Sequence, residues 1–414
     1  MIKVCKIRCY PTQTQLQKIN QICGGCRYVM NLYIEYNNKS TEFISGYDFA
    51  KIINKAKKKE DKFEWLNHIS SKALKDAIMT QEKAYKNFFR KRKNGGTVSS
   101  PKFKSRKRLN KESFFFIKDS IHFDTGKKNV IKIPILKNIR ITDRDYLPDE
   151  DRITSGRLIR EYDKYYLMFI YESRPVNLQR NNIGLGIDVG VKTYATITTT
   201  DGDSLAFDHF KDSPRYKEIT KKIEDYQRII SKKAEMNYGR LLNQYLDKHP
   251  DKEISQSTKN IMKGESYNTS QIKKMRKKIN RLYQKKSNIR KDFIDKLVYF
   301  IVVRTKPEYI TIEDLSVKNM LENDSSHSLH KYIAESRFYY FRTHLTHKCH
   351  EFVTELRIAL RYFASSKTCS SCGHKSKSLT LNDRVYQCPE CGLVIDRDLN
   401  ASINLTYTDK YSIA

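Results

Sequence analysis

Two short cysteine pairs near the C-terminus constrain the fold of this chain more than any other feature. Cys369 and Cys372 form the first pair, and Cys388 and Cys391 form the second, with fifteen residues between them. Each pair can supply one edge of a tetrahedron around a single Zn²⁺, and the glycine after each pair lets the chain turn back under the metal. Scattered thiols or two disulfides are the alternative, which the doubled spacing disfavours. Four thiolates fill the coordination sphere, so this zinc is predicted to be structural.

The net charge indicates what the chain binds. Its 79 Lys and Arg residues outnumber 47 Asp and Glu residues, which leaves a formal charge of +32. Such a charge repels itself unless a polyanion neutralises much of it, and nucleic acid is the natural partner. An acidic membrane surface is the competing explanation. The sequence lacks both a signal-peptide pattern and an apolar run near the roughly 18 residues that a spanning helix needs, so we expect no membrane association.

Length and cysteine content bound the class of protein. With 414 residues the chain is long enough for two or three domains. Nine cysteines, of which the predicted zinc site takes four, fit a reducing compartment better than a secreted disulfide scaffold. We therefore expect a cytoplasmic protein.

The chain is predicted to begin with one strand and a helix. Residues 4–10 alternate apolar and polar side chains like a half-buried strand, and Pro11 and Thr12 end the strand and start the helix. Cys23 and Cys26 lie inside the helical pattern and have no second pair nearby. We interpret them as buried small residues at a helix crossing, not as a redox or metal site.

The following segments are predicted to be helical and then extended. Residues 27–92 are helical, and their aromatic residues alternate with Lys and Arg, which suits base stacking and phosphate neutralisation together. An aromatic core with a solvated basic face explains many of these residues equally well. The basic run 91–111 suggests a connector ordered by nucleic acid. Strands at 113–123, 130–135, 139–141 and 158–172, with a turn at Thr125 and Gly126, are expected to join the first strand in a small antiparallel barrel or sheet.

Two acidic residues stand where buried strands are predicted. Asp188 lies within the apolar, glycine-rich run 184–192, and Glu313 follows the strand 309–312. An acid in a buried strand is costly unless a metal or a partner balances its charge, so Asp188 is predicted to be a ligand. A hydrogen-bonded Asp beside a glycine bulge is the alternative. Glu313 repeats the same logic.

The sequence resembles a known family over nearly its whole length. The matching stretches, in chain order, are IRCYP at 7–11, CRYVMN at 26–31, AYKNFF at 84–89, PKFK at 101–104, GIDVG at 186–190, IEDL at 312–315, the paired cysteines, and DRDLNA at 396–401. Together they resemble the transposon-associated TnpB nucleases, which are relatives of the type V CRISPR effectors.

The resemblance implies a RuvC-like nuclease domain of RNase H fold, in which Asp188, Glu313 and Asp398 meet at one catalytic site. Two Mg²⁺ ions held by such carboxylates can activate a water and stabilise the leaving oxygen of a phosphodiester. Asp396 is the other acid of the final motif, but the family pattern favours Asp398 as the ligand. Asp396 is then expected to cap the helix or to support the site.

The implied architecture is an α+β multidomain protein. A wedge-like β-barrel would comprise residues 1–10 and 98–180, a helical recognition domain 11–97, the nuclease domain 181–366 and 395–414, and an inserted zinc ribbon 367–394. A long polar helical segment at 216–297, with a turn somewhere in 250–270, would line a nucleic-acid channel; its turn region looks longer than the family usually needs.

The resemblance implies an RNA-guided DNA endonuclease of a prokaryotic cell, acting as a monomer with a guide RNA on target double-stranded DNA beside a short motif. Candidate nucleic-acid contacts are Ser71, Lys75, Tyr85, Lys102 and Lys104. A nuclease-inactive RNA-guided repressor and a compact type V CRISPR effector are alternatives on the same scaffold. The intact acid triad favours the enzyme over the repressor.

Overall fold

A computed structural model describes most of the chain. The described residues are 1–106, 111–118, 121–123, 126–250, 253–314, 327–376, 379 and 383–414. Part of the predicted basic connector, residues 119–120 of the strand predicted at 113–123, Thr125 of the predicted turn, Leu315 and part of the predicted zinc ribbon lie outside these residues. The chain forms two compact units, Met1–Arg174 and Pro175–Ala414, with a mixed α/β fold.

The helices of the first unit follow directly from its N-terminal sequence. They are α1 (Gln13–Lys39), α2 (Gly46–Lys59), α3 (Asp61–Glu64), which continues into a 3₁₀ turn at Trp65–His68, and α4 (Ser71–Lys93). Thr12 caps α1: its backbone N–H donates to Gln15 Oε1 at 2.9 Å, and its hydroxyl accepts from the backbone N–H of Gln15 at 3.4 Å. This reciprocal capping box confirms the predicted helix start.

The strands of the first unit form one antiparallel sheet. They are β1 (Ile2–Tyr10), β2 (Lys111–Ile117), β3 (Val130–Ile133), β4 (Lys137–Ile141), β5 (Ile153–Glu161) and β6 (Lys164–Glu172), in the order β2-β5-β6-β1-β4-β3. The first strand lies inside the sheet, as predicted. Beyond β2, His122 and Lys132 exchange backbone hydrogen bonds, which brings this part of the chain beside β3. Closure into a barrel stays a prediction.

The cysteine pair in α1 is part of the hydrophobic core of this unit. Cys23 and Cys26 are 4% and 3% exposed and pack among residues such as Leu66 and Ile69. Burial raises the pKa of the Cys23 thiol to about 12. The interpretation of these residues as buried small side chains is therefore confirmed.

The second unit is built around a mixed sheet. The strands of this sheet are β7 (Gly184–Val189), β8 (Thr193–Thr199), β9 (Ser204–Asp208), β10 (Tyr309–Ile312), β11 (Glu355–Ala359) and β14 (Tyr411–Ile413). Between β11 and β14 along the chain, β12 (Val385–Gln387) and β13 (Val394–Asp396) form a separate hairpin. The sheet order is β14-β11-β10-β7-β8-β9, and β7, β10 and β11 run parallel.

Helices pack around this sheet. They are α5 (Pro214–Lys248), α6 (Gln256–Ser266), α7 (Ser270–Tyr299), α8 (His327–Ser336), α9 (Phe338–Phe352) and α10 (Arg397–Tyr407). The predicted turn region 250–270 contains a further short helix, α6. Among the described residues, every helix is too short or too polar to cross a membrane.

The close approach of α10 to β7 explains one glycine of the apolar run. A Cβ at Gly186 would lie 2.2 Å from the backbone oxygen of Ser402 and 2.3 Å from the backbone nitrogen of Thr406. Real Cβ atoms do not tolerate such distances, so a side chain here would push α10 away from the sheet. Gly186 thereby sets the position of the helix that begins with the DRDLNA motif.

Candidate active site

Two acids are placed side by side by strand register. β7 and β10 are parallel neighbours, and Ile187 lies opposite Ile312. The residue that follows Ile187 is Asp188, and the residue that follows Ile312 is Glu313. The two acids therefore lie together at the carboxyl ends of adjacent strands. Parallel pairing thus brings together two residues that are far apart in sequence.

The third acid comes from the first turn of α10. Gly190, just beyond β7, would place a Cβ 4.0 Å from Asp398 Oδ2, so this carboxylate reaches the end of the strand that carries Asp188. Arg397 Nε lies 3.7 Å from Asp398 Oδ1. The three predicted acids therefore occupy one site in the second unit.

The electrostatics of the acids support this proximity. Burial raises the pKa of Asp188 well above its ordinary value, and the carboxylates of Glu313 and Asp398 raise it further, while Arg397 opposes them. Burial also raises the pKa of Glu313, against the Ser365 hydroxyl and Arg397, and Asp398 adds to the increase. The neighbouring carboxylates disfavour ionisation of Asp188 and Glu313, and a bound cation would reverse this effect.

Asp396 has a different role from Asp398. Its Oδ1 accepts hydrogen bonds from the backbone N–H groups of Asp398, at 2.9 Å, and Leu399, at 3.0 Å. These are the contacts of an N-cap, which satisfies the free donors at the start of a helix. Asp396 therefore fixes the first turn of α10, which includes Asp398.

The four predicted zinc cysteines form a compact cluster. Their Sγ atoms all lie within 4.8 Å of one another, with Cys369 and Cys391 at 3.6 Å and Cys372 and Cys388 at 3.5 Å. All four are free thiols, not disulfides. Gly373 and Gly392 adopt φ angles of 76° and 74°, the left-handed conformation that the predicted turns require. This arrangement can hold a metal ion.

Backbone groups favour a thiolate in this cluster. Burial would raise the pKa of Cys388, but hydrogen bonds from the backbone N–H groups of Cys391 and Glu390, together with those from the thiols of Cys372 and Cys391, lower the pKa to about 6. A thiolate is the form that binds metal. The donor set therefore fits a soft cation such as Zn²⁺.

Two asparagines that the sequence analysis did not identify connect the cysteine cluster to α10. Asn400 accepts from the backbone N–H of Ser370 at 2.9 Å and donates to the backbone oxygen of Thr368 at 2.7 Å. Asn404 donates to the backbone oxygens of Ser365 and Thr368, both at 2.7 Å. Their spacing of four residues places both on one helix face, and this spacing was a signal that could have found them.

The predicted nucleic-acid contacts lie in the first unit. Ser71 and Lys75 are exposed on α4; Ser71 accepts from Lys57 Nζ at 2.6 Å, and Lys75 Nζ lies 4.3 Å from the centre of the Tyr47 ring. Lys102 is exposed and Lys104 half-buried. Asn31 binds both backbone groups of Lys104, at 2.8 and 3.1 Å.

Tyr85 is placed differently from the other predicted contacts. Its side chain is 3% exposed and packs against the rings of Tyr33 and Phe43. Its hydroxyl donates to Asn38 Oδ1 at 3.2 Å. A ring in this position belongs to the core, which is the alternative given above for the aromatic residues of 27–92, so the expectation that Tyr85 contacts nucleic acid is corrected.

Comparison with known proteins shows that models of known families match the segments that contain the acids and the cysteines. A model described as "probable transposase" (OrfB_IS605) matches residues 168–324, which include Asp188 and Glu313. A "Cas12f1-like, TNB domain" model matches residues 338–405, which include the four cysteines and Asp398. A helix-turn-helix model of OrfB_IS605 matches residues 1–42.

Individual relatives agree with these models. A protein of Streptomyces pristinaespiralis named putative RNA-guided DNA endonuclease is 26% identical over 406 residues, covering 97% of this chain and 87% of the relative. TnpB-like protein L79 of Acanthamoeba polyphaga mimivirus is 29% identical over 161 residues, covering 38% of this chain and 30% of the relative. The chain is similar to TnpB-like proteins and to proteins named putative RNA-guided DNA endonuclease. The resemblance drawn from the motifs is confirmed.

A solved structure shares the fold of this chain. The mini-RNA-guided endonuclease CRISPR-Cas_phi3 superposes with a TM-score of 0.50 at 11% sequence identity, covering 98% of this chain and 92% of that one. At this identity the likeness concerns the fold alone.

Proposed function

We propose that this TnpB-like protein is an RNA-guided DNA endonuclease that cuts target double-stranded DNA beside a short motif. The observation that carries the proposal is that Asp188, Glu313 and Asp398 meet at the carboxyl ends of β7 and β10. Such a group of facing acids is unfavourable without cations and suits phosphodiester hydrolysis. The charge of +32 and a relative named as an RNA-guided DNA endonuclease support nucleic acid as the partner.

In this proposal Asp188, Glu313 and Asp398 hold two Mg²⁺ ions, for which their hard oxygen donors are suited. Divalent cations bound there supply an activated water and stabilisation of the leaving oxygen. The protein's own contribution is to hold the carboxylates in place. β7 and β10 fix Asp188 and Glu313, while Asp396 caps the turn that carries Asp398.

The finer architecture belongs to the same proposal. Residues 181–366 and 395–414 form a RuvC-like nuclease domain of RNase H fold, and residues 367–394 form a zinc ribbon with one structural Zn²⁺ on its four cysteines. Residues 1–10 and 98–180 form a wedge-like barrel, and 11–97 a helical recognition domain. The protein works in the cytoplasm as a monomer with its guide RNA.

Recovery of the bound RNA tests guide binding directly. The protein is purified at moderate salt, and the copurified RNA is sequenced. A defined RNA that combines one constant structured region with a variable end is expected. A random sample of cellular RNA would count against guided function, because a charge of +32 alone would bind RNA without selection.

A further inference from the structure

The loop between β11 and the cysteine cluster contains a serine that contacts the active-site acids. Ser365 is 2% exposed, and its hydroxyl donates a hydrogen bond to Glu313 Oε1. A buried hydroxyl that meets a carboxylate makes a charge-assisted hydrogen bond, which is stronger than a neutral one.

The backbone around Ser365 is fixed on two sides. Asn404 Nδ2 donates to the backbone oxygen of Ser365 at 2.7 Å, and the same group donates to Thr368 at 2.7 Å. Asn400 holds Thr368 and Ser370, which flank the first cysteine of the cluster. The loop 365–370 therefore forms a hydrogen-bonded connection between the cysteine cluster, α10 and Glu313.

We propose that Ser365 is a positioning residue that orients the Glu313 carboxylate for divalent-cation binding. Glu313 has three rotatable side-chain bonds, and a carboxylate free to rotate loses entropy when it binds a cation. The hydrogen bond from Ser365 to one oxygen selects an orientation beforehand and leaves the other oxygen as a ligand. This inference rests on the proposed function of the acid site and adds a link from the cysteine cluster to Glu313.

The test compares adjacent serines. Ser365→Ala removes the hydroxyl that contacts Glu313. Ser366→Ala is the matched control, because its hydroxyl makes no hydrogen bond within the described residues. Mn²⁺ binding to the full chain with its zinc retained is measured by electron paramagnetic resonance of the free ion. Cleavage is measured against Mg²⁺ concentration, alongside zinc content and melting temperature.

Ser365→Ala is expected to weaken Mn²⁺ binding and raise the half-saturating Mg²⁺ concentration by about tenfold or more, as for other residues that orient a metal ligand. Zinc content and nucleic-acid binding should stay at wild-type levels, and high Mg²⁺ should restore much of the cleavage rate. Ser366→Ala should match the wild type. Unchanged Mn²⁺ affinity in a folded Ser365→Ala protein would overturn the proposal.

A second pair of variants separates positioning from a general structural effect. If the hydroxyl acts through Glu313, then Ser365→Ala should have no further effect on Mn²⁺ affinity in a Glu313→Gln background. An equal loss in both backgrounds would show a structural role instead. Mn²⁺ binding does not depend on guided cleavage, so a wild-type protein that binds Mn²⁺ but cuts no DNA would contradict the proposed function without deciding the role of Ser365.

Discussion

Each unit of the protein buries acidic groups, but the two surround them in opposite ways. In the first unit, Glu112 lies directly across the sheet from Arg160 and pairs with both Arg160 and Arg27 of α1. Its side chain is 6% exposed, and those of Arg27 and Arg160 are 20% and 16% exposed. In the second unit, Asp188, Glu313 and Asp398 face one another, and Arg397 Nε lies 3.7 Å from Asp398 Oδ1.

The difference is the one expected between a structural acid and the proposed cation ligands. Glu112 has its compensating charges, Arg27 and Arg160, within the fold. Burial and like charge raise the pKa of Asp188 and Glu313, so the fold disfavours the form that binds cations. A protein retains such an arrangement when a cation from outside completes it.

The largest effect is expected on cleavage. Asp188→Asn, Glu313→Gln and Asp398→Asn each remove a proposed cation ligand and should lower guided DNA cleavage by more than about a hundredfold, with RNA and DNA binding retained. Asp208→Asn, on the exposed end of β9, is the control and should cleave normally. Normal cleavage by any of the three variants would remove that acid from the proposed site.

The next effect concerns the stability of the first unit. Glu112→Ala leaves two arginines without their carboxylate and should lower the free energy of unfolding by about 3–5 kcal/mol. The exposed Glu35–Lys39 pair provides the control, because Glu35→Ala should cost no more than about 0.5 kcal/mol. Denaturant unfolding measures both. A loss as small as that of the control would mean that the buried pair is not structural.

Neutralising an acid in the second unit should stabilise it. In buffer without Mg²⁺ but with zinc retained, Asp188→Asn should raise the stability of the second unit at pH 7. The folded-state pKa of Asp188 is above its ordinary 3.8. The native state therefore binds more protons than the unfolded state, and stability falls as the pH rises through the raised pKa.

The direction of the pH dependence provides a control within the same experiment. Below pH 3.8 both states of the wild type are protonated at Asp188, so the advantage of Asn should disappear there. Mg²⁺ should stabilise the wild type more than the variant. If Asp188→Asn destabilises the Mg²⁺-free, zinc-containing protein at pH 7, the acids are not held in mutual repulsion.

The smallest effect is expected at the helix cap. Asp396→Ala should cost about 1 kcal/mol of stability and reduce cleavage only in part, because the N-cap holds Asp398 without binding a cation. Thr12→Ala removes the cap of α1 in the first unit and should cost a similar amount without affecting the rate of the chemical step. Complete loss of cleavage in Asp396→Ala alone would reassign the ligand within the motif.

The positions of Asp188 and Glu313 could be predicted from the sequence because each residue has a local signal. Asp188 interrupts an apolar strand, Glu313 follows one, and parallel pairing then brings their positions together. The doubled cysteine spacing predicted a four-thiol cluster, and Pro11 and Thr12 marked the start of α1. These features depend on a few neighbouring residues, which the sequence shows directly.

The missed features depend on tertiary contacts. Ser365 is one of many serines, and only the fold reveals that its hydroxyl meets Glu313. Tyr85 lies in a helix rich in both aromatic and basic residues, and periodicity alone does not tell which rings face the core. Periodicity also did not reveal the buried Lys286. Its Nζ lies 3.1 Å from Glu335 of α8, although Lys286 itself belongs to the very polar helix α7.

Reprogramming the guide RNA tests most directly whether the protein cuts DNA under the direction of an RNA. The pairing end of the RNA recovered with the protein is replaced by a new sequence, and two DNA substrates that match the old and new guides are offered with Mg²⁺. Cutting is expected to move to the new target, to require Mg²⁺, and to be absent in Asp188→Asn. Cutting that ignores the guide, or that persists in Asp188→Asn, would contradict RNA-guided cleavage at this site.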